Sequence, residues 1–206
     1  MGELPDISEL DAVVLAGGDS RRMGADKATL PFRDTTLVGA VVAALRPVFR
    51  RVLVVTRDID SLSGLDAEII QDDRPLQGPL VGVTRGLVHS GAPWCFVAAC
   101  DMPFLQLEVI KAMAAHLADC DAVVPKYDGR LQTLHAFYNR SCIPIAEELL
   151  DQKITAMRAL ISRCRVTELP QDSFLGVPGG LRSFRDLDTA MEYRAALEEH
   201  DDQPDL

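Results

Sequence analysis

The chain has 206 residues, 48% of them hydrophobic, enough for one domain with a sizeable core and no need of a disulfide or structural metal. Its formal charge is −10, from 21 Lys and Arg against 31 Asp and Glu. That balance excludes a general nucleic-acid binder, which needs a basic surface, yet allows one locally positive nucleotide pocket.

Met1 to Leu10 is acidic and lacks the basic-then-apolar order of a signal segment. Ala12 to Ala16 (AVVLA) reads as a buried parallel strand running into the Gly17-Gly18 turn. Asp34 reads as the N-cap of a helix whose apolar positions are Leu37, Val38, Val41, Val42 and Leu45, limited by Pro47. Strands follow at Val52–Val55 and Glu68–Gln71, and Pro79 opens a helix to about Val88. Cys95–Cys100 is a strand ending at Asp101, Leu107–Leu117 is helical, and Ala122–Val124 is a strand. Thr133–Tyr138 reads as a strand feeding a helix at Ile143–Leu150. A short helix at Thr155–Ile161, a strand at Val166–Leu169 and a helix at Thr189–Leu197 complete the list, and residues 201–206 read as a solvated acidic tail. The alternation of strands and helices predicts an α/β fold with a mainly parallel sheet covered on both faces. No linker divides the chain. It reads as a single domain over 1–206, with a nucleotide-binding half at about 11–125 and an acceptor-binding half at about 126–200.

Five cysteines, an odd number with no CxxC spacing, suggest reduced thiols and a cytoplasmic protein. No apolar run approaches the ~20 residues that span a bilayer, so no membrane segment is expected.

In an open parallel sheet, ligands bind beyond the carboxyl ends of the strands. The unusual residues of this chain fall there. Leu15 to Lys27 (LAGGDSRRMGADK) follows the first strand with glycines that allow close backbone approach, exposed amides, and the cations Arg22 and Lys27. The set suits a triphosphate; its spacing is neither Walker A nor GxGxxG, and the alternative is a loop with solvated cations. Asp101 ends another strand, where a carboxylate can hold Mg²⁺ or simply cap a turn. Asp72 to Gly82 passes from a strand into a helix; Asp72 could accept hydrogen bonds from a ribose or base, or the stretch could be an ordinary helix entry. Arg130, His135 and Tyr138 could line a pocket for an anionic second substrate, with a structural histidine as the alternative. Asp186 and Asp188 would share one side of an extended segment; Asp188 could cap the last helix or bind metal.

Together these segments resemble the molybdenum cofactor guanylyltransferase family, over about Asp11 to Tyr193. LAGGDSRRMGADKATL, Leu15 to Leu30, is similar residue by residue to that family's LAGG-x-S-x-R-M-G-x-DK opening; Gly78 to Gly82 is similar to its GPL-x-G segment, and Cys100 to Phe104 to its C-D-x-P-[FY] segment. The resemblance implies a three-layer α/β/α nucleotidyltransferase fold, Rossmann-like. It implies GTP on the main chain of Leu15, Ala16 and Gly17, with Gly18 and Gly78 nearby. It implies Lys27 and Arg22 at the phosphates, Asp72 at the guanosine, Thr56 facing the nucleotide, and Asp101 on Mg²⁺. The implied reaction transfers GMP from GTP to molybdopterin or molybdenum-molybdopterin, with molybdoenzymes and other cofactor-synthesis proteins as partners, and neither nucleic acid nor membrane. The related cytidylyltransferases, which read LAAG, and sugar-1-phosphate nucleotidyltransferases share the fold; a non-catalytic nucleotide-binding adaptor is the alternative of another class. The chain departs from the family at Asp186-Leu187-Asp188-Thr189-Ala190, where Asn-x-Asn-Thr-Pro is frequent, at Thr133, where proline is frequent, and at Thr56, where asparagine occurs.

Overall fold

The computed structural model describes residues 6–17 and 27–201. In chain order the elements are β1 (Asp11–Leu15), β2 (Pro31–Phe32), β3 (Thr35–Thr36), α1 (Leu37–Leu45), β4 (Arg51–Thr56), β5 (Glu68–Gln71), α2 (Pro79–Ser90), β6 (Trp94–Ala99) and α3 (Leu107–Ala114). Then come β7 (Ala122–Tyr127), β8 (Arg130–Leu131), β9 (His135–Asn139), α4 (Cys142–Asp151), α5 (Met157–Ile161), β10 (Val166–Pro170) and α6 (Ala190–Asp201). The main sheet has the order β10-β7-β9-β6-β1-β4-β5, with β8 paired to β7. β5, β4, β1 and β6 run parallel, and so do β7 and β10. β9 is antiparallel to both β6 and β7, between which it lies.

The period-two alternation of each strand builds the layers. Ala12 and Val14 of β1 face a core with Val38, Val41 and Leu45 of α1 and Val109, Ile110 and Met113 of α3. Val13 and Leu15 face the opposite core, with Leu80, Val83 and Leu87 of α2, Leu149 of α4 and Leu160 of α5. The result is the expected three layers, α/β/α, around a mainly parallel sheet. α2 lies close on β1 because of its glycine at 86: a Cβ there would sit 2.3 Å from Val13 Cγ1.

Two helix starts differ from the sequence reading. Residues Pro31 to Thr36 form the small β2–β3 hairpin, so Asp34 lies in its turn, and Thr36 caps α1 by accepting from the Gly39 N–H at 3.2 Å. At α6, the Thr189 hydroxyl accepts from the Glu192 N–H (3.2 Å) while Glu192 accepts from the Thr189 N–H (2.8 Å). That is a capping box with Thr189 as the cap, so Asp188 does not cap α6 and is left to face the site. Of the tail expected at 201–206, Asp201 is the last residue of α6 and the others lie outside the described residues.

A buried carboxylate ties the amino end of the sheet together. Asp11 is fully buried and accepts from Arg50 (2.9 and 3.0 Å), Arg51 (2.7 Å) and the Ser90 hydroxyl (2.6 Å). Burial alone would raise its pKa, but the bonds from Arg50, Arg51 and Ser90 outweigh that, and the net value is lowered. The Asp11→Ala protein should therefore lose about 2–3 kcal/mol in urea denaturation, less than a wholly buried pair because both arginines reach solvent. A loss below about 0.5 kcal/mol would show that water replaces the carboxylate at no cost.

Candidate active site

The carboxyl edge of β1 and β6 is where the chemistry-bearing residues meet. Lys27 begins a short 3₁₀ turn over Lys27–Thr29, and Asp101 follows the end of β6. The Lys27 Nζ donates to Asp101 Oδ2 at 2.6 Å and to Asp188 Oδ1 at 2.9 Å. Three sequence-distant segments thus converge on one ammonium. Burial works against the Lys27 charge, but the hydrogen bonds and charges of Asp101 and then Asp188 outweigh it, and its pKa is raised.

A small satellite core holds these segments in place. Leu187, fully buried, packs with Phe32, Leu37, Phe104 and Ala196, and its N–H donates to the Asp101 carbonyl at 3.0 Å. Phe32 and Phe104 meet edge to face, and Arg182 and Arg185 lie over the Phe104 ring at 4.7 and 5.1 Å. The Tyr193 hydroxyl donates to the Pro31 carbonyl, joining α6 to the hairpin. With Leu187 turned into this core, its neighbours Asp186 and Asp188 are both exposed. The pKa of Asp186 is raised, by desolvation first and then by the charges of Asp188 and Asp101.

Among the described residues the cluster sets one ammonium against three carboxylates, a net negative setting that attracts a further cation. Among the described residues no set of three or more acidic, His or Cys side chains forms a metal cage. Asp101 and Asp188 nevertheless already converge on one cation, and a pair of carboxylates is the protein share usual for Mg²⁺, whose other ligands are phosphate oxygens and water. The donor set therefore fits that ion.

The neighbouring edge of β1 and β4 is different in character. Leu15 and Ala16 are buried, with the Leu15 carbonyl accepting from Cys100 N–H and the Ala16 N–H donating to Val55, while Gly17 is exposed. Among the described residues, a Cβ at Gly17 would meet nothing nearer than the Arg57 main-chain nitrogen at 3.9 Å, so their packing does not require glycine there. Thr56 is 2% exposed and its hydroxyl is engaged with the main chain of Asp58, which limits what it offers a ligand. The Asp72 N–H donates to the Thr56 carbonyl at 2.7 Å, and the Asp72 carboxylate accepts from the Arg74 N–H at 3.3 Å. Gly78 has φ 138°, and a Cβ there would lie 2.5 Å from the Thr155 hydroxyl, so close approach and backbone both select glycine. Gly18 and Arg22 lie outside the described residues.

The grouping of Arg130, His135 and Tyr138 around one pocket needs correction. His135 and Tyr138 are three apart on β9, so they face opposite sides of the sheet, and both are fully buried. The His135 ring lies 5.2 Å from Phe96 and 4.7 Å from Phe184, on one face. Tyr138 packs in the other core and donates its hydroxyl to the Thr133 carbonyl at 2.7 Å. Arg130 alone is exposed, just past a tight turn in which Asp128 and Gly129 take φ 47° and 73°.

Other functional contacts were not read from the sequence. Arg57 donates to the carbonyls of Arg74 and Leu76, and Arg74 makes a two-pronged pair with Glu147 of α4 at 2.9 and 2.7 Å. These are long-range pairings with no local signature in the sequence.

Comparison with known proteins agrees with this geometry. The family profile described as MobA-like NTP transferase domain matches residues 12–168. A molybdenum cofactor guanylyltransferase of Desulfosudis oleivorans is 31% identical over 186 residues, 89% of this chain and 92% of that protein. A probable molybdenum cofactor guanylyltransferase of Mycobacterium tuberculosis is 39% identical over 168 residues, covering 78% of this chain and 84% of that protein. Among solved structures, the molybdopterin-guanine dinucleotide biosynthesis protein A of Archaeoglobus fulgidus superimposes with a TM-score of 0.82 at 28% identity, over 94% of this chain and all of that one. The 2-C-methyl-D-erythritol 4-phosphate cytidylyltransferase of Thermus thermophilus, at 16% identity, shares the fold with a TM-score of 0.67 over 93% of this chain and 98% of that one.

Proposed function

This chain belongs to the MobA-like NTP transferase family, and on that premise we propose that it transfers GMP from GTP to molybdenum-loaded molybdopterin, forming the guanine dinucleotide cofactor and releasing pyrophosphate. The observation that supports this best is the convergence of Lys27, Asp101 and Asp188 at the sheet edge beside Gly17. An oxygen of the acceptor's terminal phosphate forms a new bond to the α-phosphorus of GTP as the bond from that phosphorus to the α–β bridging oxygen breaks. The acceptor phosphate is largely ionised at neutral pH, so no side chain has to remove a proton. The residues must instead hold two anions in line and offset their repulsion.

Lys27, with Arg22, serves the triphosphate, and the main chain of Leu15, Ala16, Gly17 and Gly18 approaches the nucleotide. Asp72 and Gly78 border the guanosine, with Thr56 shaping the wall behind them. Asp101 and Asp188 would hold Mg²⁺, which when bound neutralises phosphate charge and favours the leaving pyrophosphate. The exposed Gly17 supports a purine, because a glycine that the packing of the described residues does not require leaves space for the larger base. The acceptor lies toward the second half of the chain, with Arg130 as the accessible cation there. Five cysteines, none of them in a disulfide among the described residues, favour a cytoplasmic setting.

The test is pyrophosphate release from GTP and from CTP, with Mg²⁺ and molybdenum-loaded molybdopterin. Release is expected from GTP and only with the acceptor present. Release from CTP would overturn the base assignment, and none from either would overturn the reaction.

A further inference from the structure

We infer that Arg57 is a positioning residue for base selection, because its side chain ties the loop from Asp72 to Gly78 to the end of β4. The inference rests on the nucleotide reading above and goes beyond it to a residue that touches only the protein.

Arg57 follows β4 directly. Among the described residues its main-chain nitrogen is the group nearest to a Cβ built on Gly17, while its side chain meets the loop that follows β5. One guanidinium nitrogen donates to two loop carbonyls, Arg74 at 2.6 Å and Leu76 at 2.7 Å. The Nε lies 3.8 Å from the Asp72 carboxylate. Pro75, between the two bound carbonyls, has a fixed φ and no N–H. Arg57 therefore spans from the Gly17 side of the site to three residues of the facing loop.

The remainder of the loop is anchored elsewhere. Arg74 is paired with Glu147 of α4, and the N–H of Leu80, in the first turn of α2, donates to the Thr155 carbonyl at 3.1 Å. Those anchors fix the loop's outer side and its exit. Arg57 is the tie that holds its two middle carbonyls toward β4. A base is told from its analogues by main-chain donors and acceptors held at fixed places, and a loop left to order itself on binding loses affinity to that ordering. Because the Arg57 side chain is partly exposed, its removal should loosen the loop without breaking the core.

The experiment compares wild-type protein with Arg57→Ala and Arg57→Lys, using GTP, ITP and CTP as nucleotides, in turnover and in equilibrium binding without acceptor. The Arg57→Ala protein should show a KM for GTP raised about 10- to 100-fold with kcat within about threefold, and a reduced preference for GTP over ITP. Arg57→Lys, whose ammonium can donate to both carbonyls, should recover part of the loss. An unchanged KM and GTP/ITP preference, with or without a lowered unfolding midpoint, would overturn the inference. So would a fall in kcat at constant KM, which would place the guanidinium on the phosphates. Wild-type protein that prefers CTP would defeat the base assignment alone; the tie would then stand if Arg57→Ala lost the CTP preference and fall if it kept it. Wild-type protein that binds none of the three would defeat both.

Discussion

The Asp101→Asn protein should turn over GTP about 10²–10³-fold more slowly than wild type, by analogy with the loss of one electrostatic contact to a developing charge. The substitution preserves shape and a hydrogen-bond acceptor for Lys27, so what it removes is one negative charge. Asp101 is the better sheltered of the two carboxylates on Lys27, with 18% side-chain exposure against 68% for Asp188. Charge in the drier position is screened less and is the harder to replace by water. Asp188→Asn should accordingly cost less, and Asp101→Asn should also need more Mg²⁺ to reach its own maximum. Melting should move by no more than about 3 °C, since no core contact is lost. Wild-type turnover in Asp101→Asn would remove this carboxylate from the reaction.

The second large effect concerns pH and His135. Its ring is fully enclosed, and among the described residues neither nitrogen has a hydrogen-bond partner of good geometry. Burial pushes its pKa down to about 3, offset only slightly by the Ser183 main chain. The unfolded chain, with an ordinary imidazole near pH 6.5, takes up a proton long before the folded chain does. Stability from this source is therefore complete above about pH 6.5 and is lost as pH falls from there toward 3, with a slope approaching 1.4 kcal/mol per pH unit. Between pH 7.5 and 5.0 the loss should be about 2 kcal/mol. Carboxylates contribute to acid sensitivity as well, so the informative quantity is the difference from His135→Leu, measured by urea denaturation at both pH values. The variant should lose about 2 kcal/mol less over that interval and be no less stable at pH 7.5, since it removes two buried polar atoms that lack a well-formed hydrogen bond among the described residues. Parallel losses in the two proteins would mean that the imidazole finds a partner and titrates normally.

Much of the architecture was legible because parallel strands buried on both faces are short unbroken apolar runs, as in AVVLA and VLVV, and helices follow Pro79 and the Leu37 periodicity. The placing of Gly17 and Asp101 just past strand ends was legible for the same reason, as glycine or polar residues set abruptly after such runs. The direction of β9 was not, because HAFYN has the same composition whichever way it runs. The pocket drawn around His135 and Tyr138 failed on a parity rule that was in reach: positions three apart on a strand cannot share a face. The cap of α6 was in reach too, since Thr189-Ala190-Met191-Glu192 is a capping box and Asp188 has no such partner three residues on. Contacts such as Arg57 with Arg74 and Leu76 depend on how β4 and the following loop are brought together in space, and local sequence does not encode them.

The place of β9 in the sheet has a consequence for synthesis. β6 is hydrogen-bonded to β1 on one side and to β9 on the other. As the chain leaves the ribosome, β1, β4, β5 and β6 emerge well before residues 135–139 do, so the apolar edge of β6 waits unpaired through that interval. An unpaired central strand is a template for pairing with another chain. A fragment ending near residue 125 would expose that edge permanently, so the first part of the chain is not a piece that can be cut free and expected to stay in solution.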